Sequence, residues 1–459
     1  MGTPEAVPAP SRARTLPPGG TPFAWRVAAL VVLFGGLSVG AGAAGGGYAR
    51  WLVLAVIAIV VAGLVPVVVG SRRPPVPPKP LATRPVDGLP TITVVIAARD
   101  EAAVLPKLIA DLGAQDHRDA AGAARFEVIV IDDQSRDGTA AAVEAAAAQA
   151  GLGSLVRVVR REGPGLRDGK GAALAATGPD DYRGQVIVVL DADAHVEPDF
   201  LRRIGGYAAR GVGALTARRR ILRAGESQLT GAQADEQAQD GELQRGRWAS
   251  GGCSEFRGNG TIISRDLLAA VGGWPADALT DDLDLSTRLA AATGMTVAWA
   301  LDVVVWEEPV RAWGDLWRQR LRWGEGAMRR FLEHGAGVMR SSRLSLWARL
   351  DFAAYGAQLV APPLVLGAVV GAVATGASAM AAALVGAYLA AGGVLAFDAL
   401  RWESSGGRGV PILPRIARAT RAALFSAFWL AVVPAALWRL ATRRGRFRYD
   451  KMQHVGAGD

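Results

Sequence analysis

Long apolar runs lie near both ends of the chain, whereas the middle alternates short apolar and mixed segments. Val27–Ala44 and Trp51–Val69 form two runs near the start, and Asp351–Thr375 and Ala379–Leu400 form two near the end. Each run is close to the ~20 residues that a helix needs to cross a bilayer. We therefore predict four membrane spans that flank a central domain.

Prolines interrupt the later apolar segments. Pro362 and Pro363 lie inside the third predicted span and predict a kink or a break there. A further run, Ala422–Trp438, is shorter and contains Pro434. If it crossed the bilayer, the basic residues that follow it would lie outside the cell. We therefore predict an interfacial or re-entrant helix for this run.

The basic residues lie mainly beside the apolar runs. The net charge is +9 over 459 residues, with 51% hydrophobic residues. Cytoplasmic loops of membrane proteins carry excess Arg and Lys, so this distribution places both termini and the central domain in the cytosol. It argues against a nucleic-acid partner, for which basic residues and aromatics would alternate on a soluble face. Cys253 is the single cysteine, which excludes a disulfide framework within the chain.

The central region has the pattern of an α/β domain. Thr91–Ala97, Phe126–Ile131 and Gln185–Leu190 are almost entirely apolar, as expected for strands covered on both faces. Ala-rich stretches such as Ala140–Ala150 predict helices between them. The predicted order is a disordered tail over 1–22, two transmembrane helices over 23–70, a Pro-rich linker over 71–90, the cytosolic α/β domain over 91–310, interfacial amphipathic helices over 311–349, two transmembrane helices over 350–400, a basic segment with the interfacial or re-entrant helix over 401–441, and a cytosolic basic tail over 442–459.

Carboxylates follow two of the apolar strands. Asp133 ends one of them, and Asp191 and Asp193 end another. Ligands of open α/β sheets bind outside the carboxyl ends of the strands. Asp133 can accept hydrogen bonds from a base or ribose there, or it can simply cap a surface turn. Two carboxylates at i and i+2 can share Mg²⁺ or Mn²⁺ with substrate phosphates, although such a pair also occurs by chance in loops.

Two later segments add candidate residues. Thr280 precedes Asp281, Asp282 and Asp284, which is typical of a helix N-terminus with acidic residues in its first turn. The alternative is that Asp282 acts as a general base towards an acceptor hydroxyl. Further on, the spacing of Gln319, Arg322 and Trp323 places all three on one helical face. From this face they can hold a diphosphate or stack on a sugar.

Taken together and in this order, the four motifs resemble those of family 2 glycosyltransferases with a GT-A fold. The resemblance covers about residues 91–335. It implies a mixed, mostly parallel sheet with helices on both faces, inserted between the N- and C-terminal transmembrane helices. The chain departs from the family pattern at Asp281, where Glu is usual, and at Ala97, where Pro is common. Neither change removes a carboxylate expected to act in the reaction.

The resemblance also implies roles for individual residues. Asp282 would be the catalytic base of an inverting displacement, and Asp193 with Asp191 would bind Mg²⁺ or Mn²⁺. The acceptor would contact Asp281, Gly258 and Trp323. The UDP-sugar donor would contact Ala97, Arg99, Glu101, Asp133, Lys170, Asp191, Gln319, Arg322 and Trp323.

Two acceptors fit this family. One is a membrane lipid such as diacylglycerol, as in bacterial glucosyldiacylglycerol synthases, and the other is a growing polysaccharide, as in cellulose and hyaluronan synthases. The short membrane part and a final segment, Tyr449–Gly456, similar to the tail of the lipid enzymes, favour the lipid. An inactive relative that serves as a membrane scaffold is the non-enzymatic alternative. The expected location is a bacterial-type inner membrane, with membrane lipids as partners.

Overall fold

The computed structural model describes residues 88–359, 361–374, 376–403 and 410–442, together with the isolated residues 58, 65, 69 and 70. The predicted tail, the two N-terminal spans and most of the Pro-rich linker therefore lie outside the described residues, as does the basic tail beyond residue 442. What is said below concerns the described ranges.

Eight strands form a single mixed sheet. Their order across the sheet is β3-β2-β1-β4-β7-β6-β8-β5. β1 pairs in parallel with β2 and β4, and β2 pairs in parallel with β3. β7 runs antiparallel to β4 and β6. The strands are β1 Ile92–Ala98, β2 Phe126–Asp133, β3 Val156–Arg161, β4 Val186–Asp191, β5 His195–Val196, β6 Ala214–Ile221, β7 Thr261–Ser264 and β8 Ala298–Glu307.

Helices follow most of the strands, as the alternating pattern predicts. Those of the α/β domain are α1 Leu105–Gly113, α2 Thr139–Gln149, α3 Lys170–Leu174, α4 Phe200–Ala208, α5 Gln228–Ala249, α6 Arg265–Ala270 and α7 Asp281–Thr293. The remaining helices are α8 Trp313–Arg340, α9 Leu346–Ala357, α10 Ala361–Ala374, α11 Ser378–Ala399 and α12 Ile412–Thr442.

Alternate residues of the central strands enter two separate cores, one on each face of the sheet. Val94 and Val188 pack in the first core, with residues of α1, α2 and α4. Val95 and Val189 pack in the second, with residues of α3, α6 and α7. Because side chains alternate along a strand, the nearly continuous apolar runs are explained by burial on both faces. The predicted mixed sheet with helices on both faces is confirmed.

The C-terminal part agrees with the prediction in one element and differs from it in another. The predicted break in the third apolar run lies between α9 and α10, just before Pro362 and Pro363. α10 has 14 residues, fewer than a continuous span needs. The segment predicted as basic chain followed by a short helix is instead one helix, α12, which includes Arg415, Arg418 and Pro434.

Two helices of the described residues are long and apolar enough to cross a membrane. They cover Ala381–Trp402 and Ile412–Leu440. The first matches the predicted fourth span. The second includes the run predicted as interfacial or re-entrant, and its placement relative to a bilayer stays a prediction. Length and composition alone are weak evidence for a span, since buried helices of soluble proteins share them.

Candidate functional site

All of the candidate side chains predicted from the sequence line one large cavity. Its volume is about 1070 Å³, and it lies at the carboxyl ends of β1, β2 and β4. β1 and β4 are neighbours, so Ala97 lies opposite Asp191. The sheet topology thus brings together residues that are far apart in sequence, although their individual roles stay predictions. The predicted residues in its wall are Ala97, Arg99, Glu101, Asp133, Gly258, Lys170, Asp191, Asp193, Asp281, Asp282, Gln319, Arg322 and Trp323.

The carboxylates at the strand ends are paired with cations. Asp133 is buried and forms an ion pair of 2.5 Å with Arg161, which ends the neighbouring strand β3. Asp191 pairs with Lys170 of α3, also at 2.5 Å. Burial would lower the pKa of Lys170, but Asp191, Asp281 and Asp282 together raise it above its usual range. Lys170 therefore stays charged at neutral pH.

Asp193 follows β4 in a region crowded with negative charge. Burial, followed by the charges of Asp191 and Glu307, raises the pKa of Asp193 to about 7. Arg219 on β6 binds Glu307 through two hydrogen bonds of 2.8 and 2.7 Å. The carboxylate oxygens of Asp191 and Asp193 suit Mg²⁺ and Mn²⁺, and a cation there would offset the negative charges of Asp191 and Glu307 around Asp193. The residues present therefore fit a divalent metal.

The first turn of α7, which carries Asp281 and Asp282, packs closely between α3 and α8. A Cβ on Gly171 of α3 would lie 2.5 Å from the Pro275 carbonyl oxygen and 3.3 Å from the Asp281 Cβ. A Cβ on Gly326 of α8 would lie 2.3 Å from the Thr280 Cγ2. Both glycines permit approaches that a side chain would block. Thr280 is the N-cap of α7 and Asp281, Asp282 and Asp284 lie in its first turn, as the sequence predicts, although the Thr280 side chain makes no capping hydrogen bond.

Asp282 faces a wall of mixed charge. Burial and the adjacent Asp281 raise its pKa to about 6, while Arg257 and Lys170 act in the opposite direction. Gly258 adopts a positive φ of 75°, and a Cβ there would lie 3.7 Å from Asp282 Oδ2. Glycine therefore leaves space beside this carboxylate. An ionised, partly shielded carboxylate with free space beside it can take a proton from a hydroxyl.

The predicted face of α8, formed by Gln319, Arg322 and Trp323, lines the same cavity. The Arg219 and Arg320 guanidiniums lie over the Trp323 ring, 5.3 and 4.1 Å from its centroid. Arg320 also donates to the Gln319 side chain and to Glu236 of α5. The predicted face is therefore held in position by cation–π contacts and hydrogen bonds.

The remaining candidates lie at the end of β1. Arg99 forms an ion pair of 2.9 Å with Asp168. Glu101 is buried, and its backbone N–H donates to Thr139 Oγ1 of α2. These contacts hold the loop after β1 over the site.

Two polar residues outside the motifs, His195 and Cys253, have structural explanations. His195 pairs with Asp111 at 3.1 Å. Cys253 is buried in a separate apolar cluster with Val338 and Phe352, and burial raises its pKa to about 12.

A possible metal cluster lies elsewhere on the wall of the cavity. Within the described ranges, ligand atoms of Asp284, Glu333 and His334 lie within 4.8 Å of one another. Asp284 already accepts from His334 at 2.7 Å and from Arg288 at 2.6 Å. Arg288 and His334 thus already bind the two carboxylate oxygens of Asp284.

Sequence reasoning missed several residues of the site. Asn259 is buried and accepts a hydrogen bond from the backbone N–H of Asp191, which orients the end of β4. Arg219 and Glu307 were also missed. The run Arg218–Arg220 inside an otherwise apolar strand was the available signal, because cations in a sheet need carboxylate partners.

Comparisons with known proteins agree with this geometry. Residues 90–326 match the family described as "Glycosyltransferase like family 2". A "Beta-monoglucosyldiacylglycerol synthase" of Synechocystis is 37% identical over 246 residues, which is 53% of this chain and 49% of the relative. That alignment thus spans about half the length of the relative. A protein of the same name from Trichormus variabilis is 30% identical over 381 residues, with 81% of this chain and 78% of the relative covered.

One solved structure shares most of the architecture. It is the "Mannosyltransferase PcManGT from Pyrobaculum calidifontis in complex with GDP-Man and Mn2+", with a TM-score of 0.54 and 23% identity. The match covers 85% of this chain and 98% of that one, and it supports the fold alone. The family match, the long relative and the mixed sheet point to one conclusion: the chain belongs to the family 2 glycosyltransferases and has a GT-A fold.

Proposed function

We propose that this chain is a membrane-embedded, inverting glycosyltransferase that transfers a hexose from a UDP-sugar to a diacylglycerol-like lipid. One observation carries the proposal. The cavity that holds Asp191, Asp193 and Asp282 continues between apolar helices, where Leu395 of α11 and Val433 of α12 line it. An acceptor that reaches Asp282 from that side meets apolar surface first. The long match to proteins named for diacylglycerol glucosylation supports the same acceptor.

The proposed chemistry assigns one task to each part of the cavity. Asp133 and Asp191 would hold the nucleoside, and Lys170 would face the diphosphate. A Mg²⁺ or Mn²⁺ ion held by Asp193 and Asp191 would supply positive charge to the departing diphosphate. Asp282 would accept the proton of the acceptor hydroxyl. The oxygen of the acceptor hydroxyl would then form a bond to the anomeric carbon as the bond between that carbon and UDP breaks, which inverts the configuration there.

The remaining site residues would position the two substrates. Gln319 and Arg322 would bind diphosphate oxygens, and Trp323 would contact the sugar or acceptor. Asp281 and Gly258 flank Asp282 and would border the acceptor. Ala97, Arg99 and Glu101 would border the nucleotide. This arrangement needs no covalent intermediate, because a single displacement inverts the configuration.

The proposed placement has the catalytic domain in the cytosol and the apolar helices in the inner membrane, on both sides of that domain in the chain. Arg415, Arg418 and Arg421 near the start of α12 agree with a cytosolic helix end. A processive polysaccharide synthase is the second candidate, because its family shares the motif set. An inactive scaffold is disfavoured, since every carboxylate that the reaction needs is present.

The proposed function is tested with the purified full chain in detergent. We expect UDP release from a UDP-hexose and a lipid with one added hexose, both dependent on Mg²⁺ or Mn²⁺. Mass spectrometry of the products, with a panel of UDP-sugars, reads out donor and acceptor together. A ladder of polymers would establish the second candidate instead. Full turnover after EDTA treatment would overturn the proposed metal.

A further inference from the structure

The apolar end of the cavity has lining residues from several helices. Leu359 lies in the break between α9 and α10, Pro362 lies in the first turn of α10, and Leu395 lies on α11. α12 contributes residues from Ala422 to Val433. At 1.5 Å per residue, this part of α12 extends about 17 Å, roughly half the ~30 Å hydrocarbon thickness of a bilayer.

Three polar side chains at this end, those of Tyr388, Ser426 and Trp429, donate hydrogen bonds within the protein. The Tyr388 hydroxyl donates to the Ser426 carbonyl oxygen at 3.5 Å, and the Ser426 hydroxyl donates to the Ala423 carbonyl oxygen at 2.6 Å. The Trp429 indole N–H donates to Glu236 at 2.7 Å. A glycan would need donors and acceptors for its hydroxyls, since burying a polar group without a hydrogen bond is costly. The surface instead suits hydrocarbon.

The outer faces of the same helices are also apolar. Leu424 on α12 and Val370 on α10 are 63% and 61% exposed. These helices therefore present hydrocarbon both to their surroundings and to the cavity between them. Arg418 and Arg421, at the polar end of α12, bind Asp235 of α5 and so anchor this helix beside the catalytic domain.

We propose that the apolar end of the cavity, between α9–α10, α11 and α12, is a binding site for one acyl chain of the lipid acceptor. The site holds the chain while the hydroxyl of the same lipid lies at Asp282. This inference rests on the proposed lipid acceptor. It adds that acyl length is recognised by the protein and that Ser426 faces the chain.

The test compares two substitutions on the same helix. Ser426→Trp places an indole in the cavity, whereas Leu424→Trp places it on the exposed face of α12. Transfer is measured to a diacylglycerol with two long chains and to one with two six-carbon chains. We expect Ser426→Trp to lower the long-to-short ratio of kcat/KM at least tenfold, and Leu424→Trp to change it less than twofold. Equal ratios for the two variants would overturn the proposal.

A second measurement does not depend on turnover. A long-chain diacylglycerol with a photoreactive group in the middle of one acyl chain is cross-linked to the wild-type chain. We expect labels at cavity residues such as Phe425, Ser426 and Leu395, and competition by unlabelled lipid. Labels only at outward residues such as Leu424 would overturn the site. Labels in the cavity of a protein that transfers no hexose would support the acyl-chain site and contradict the proposed reaction. Loss of the cavity labels on addition of a soluble glycan, but not of unlabelled lipid, would contradict an acyl-chain site.

Discussion

Lys170 shows how single residues in this site depend on distant partners. Its ammonium lies among the carboxylates of Asp191, from β4, and of Asp281 and Asp282, from α7. The positive charge of Lys170 thus offsets part of the negative charge of two motifs that lie far apart in the sequence. Burial, together with the remaining negative charge, raises the pKa values of Asp193 and Asp282. Raised carboxyl pKa values in a cleft are typical of functional sites.

Asp282→Asn tests the proposed base. The amide keeps the shape of the side chain but cannot accept the proton, so transfer should fall at least 10³-fold, within the range of general-base effects. UDP-hexose affinity, measured by calorimetry with metal present, should change less than threefold. Asp266→Asn is the control, because Asp266 is exposed on α6 and is not part of the cavity wall. Retention of a tenth of wild-type transfer would contradict the role.

The pH dependence of transfer follows from the raised pKa of Asp282, about 6. The base acts only when ionised, so its contribution is present above that pKa and is lost as pH falls through it. At saturating metal and donor, we expect the rate to fall about tenfold per pH unit below about 6. Initial rates between pH 4.5 and 8 measure this profile. A rate that is constant down to pH 5 would be incompatible with an Asp282 base.

At the scale of elements, α5 joins the sheet to the C-terminal helices. Asp235 is fully buried and binds Arg418 and Arg421 of α12 at 2.7 Å each. The next residue, Glu236, accepts from Trp429 of α12 at 2.7 Å. α5 thus connects α12 with the helix that carries the Gln319–Trp323 face. The positions of these two helices are therefore coupled.

Asp235→Asn tests this connection. The substitution leaves two arginines without their carboxylate, and breaking a buried ion pair costs about 3 kcal/mol or more. We expect a clear fall in the melting temperature of the purified chain in detergent. Glu226→Gln is the matched control, because Glu226 is 38% exposed and pairs with Arg223 on the surface, where such pairs contribute about 1 kcal/mol or less. Equal melting temperatures for the two variants would contradict the coupling.

At the scale of the whole molecule, the catalytic domain and the C-terminal helices share a buried polar interior. Arg247 of α5 binds Asp351 of α9 at 3.0 Å, and the Cys253 N–H donates to the same carboxylate at 2.7 Å. Arg330 of α8 binds Glu255 at 2.7 Å. The side chains involved are almost completely buried. The apolar helices therefore complete the folded domain in addition to any role in the membrane.

A chain that ends after Leu344 tests this dependence. It lacks Asp351, so Arg247 keeps a buried charge with fewer partners, which is strongly destabilising. We expect this chain to lose cooperative thermal unfolding and at least 90% of UDP binding, measured by calorimetry. A chain that ends after Thr442 is the control, because it keeps every contact described above. UDP affinity within threefold of the full chain would show that the domain folds independently.

The sequence by itself determined the strands and the residues at their ends. Apolar runs such as Phe126–Ile131 predict buried strands because covering both faces requires apolar residues at every position. Asp133, Asp191 and Asp193 were predicted at one edge because parallel strands present their carboxyl ends on the same side of a sheet. The Gln319–Trp323 face followed from helical periodicity.

Only the tertiary structure decided which groups oppose one another. Arg219 meets Glu307 because β6 lies beside β8, and Asp235 meets Arg418 because α5 packs on α12. The break before Pro362 agrees with the sequence prediction, whereas the extension of α12 back to Ile412 was not predicted. The local sequence determines whether a segment favours helix or strand. It does not determine which distant segment supplies the partners of its charged residues, so the ion pairs and the apolar end of the cavity form only when the elements pack together.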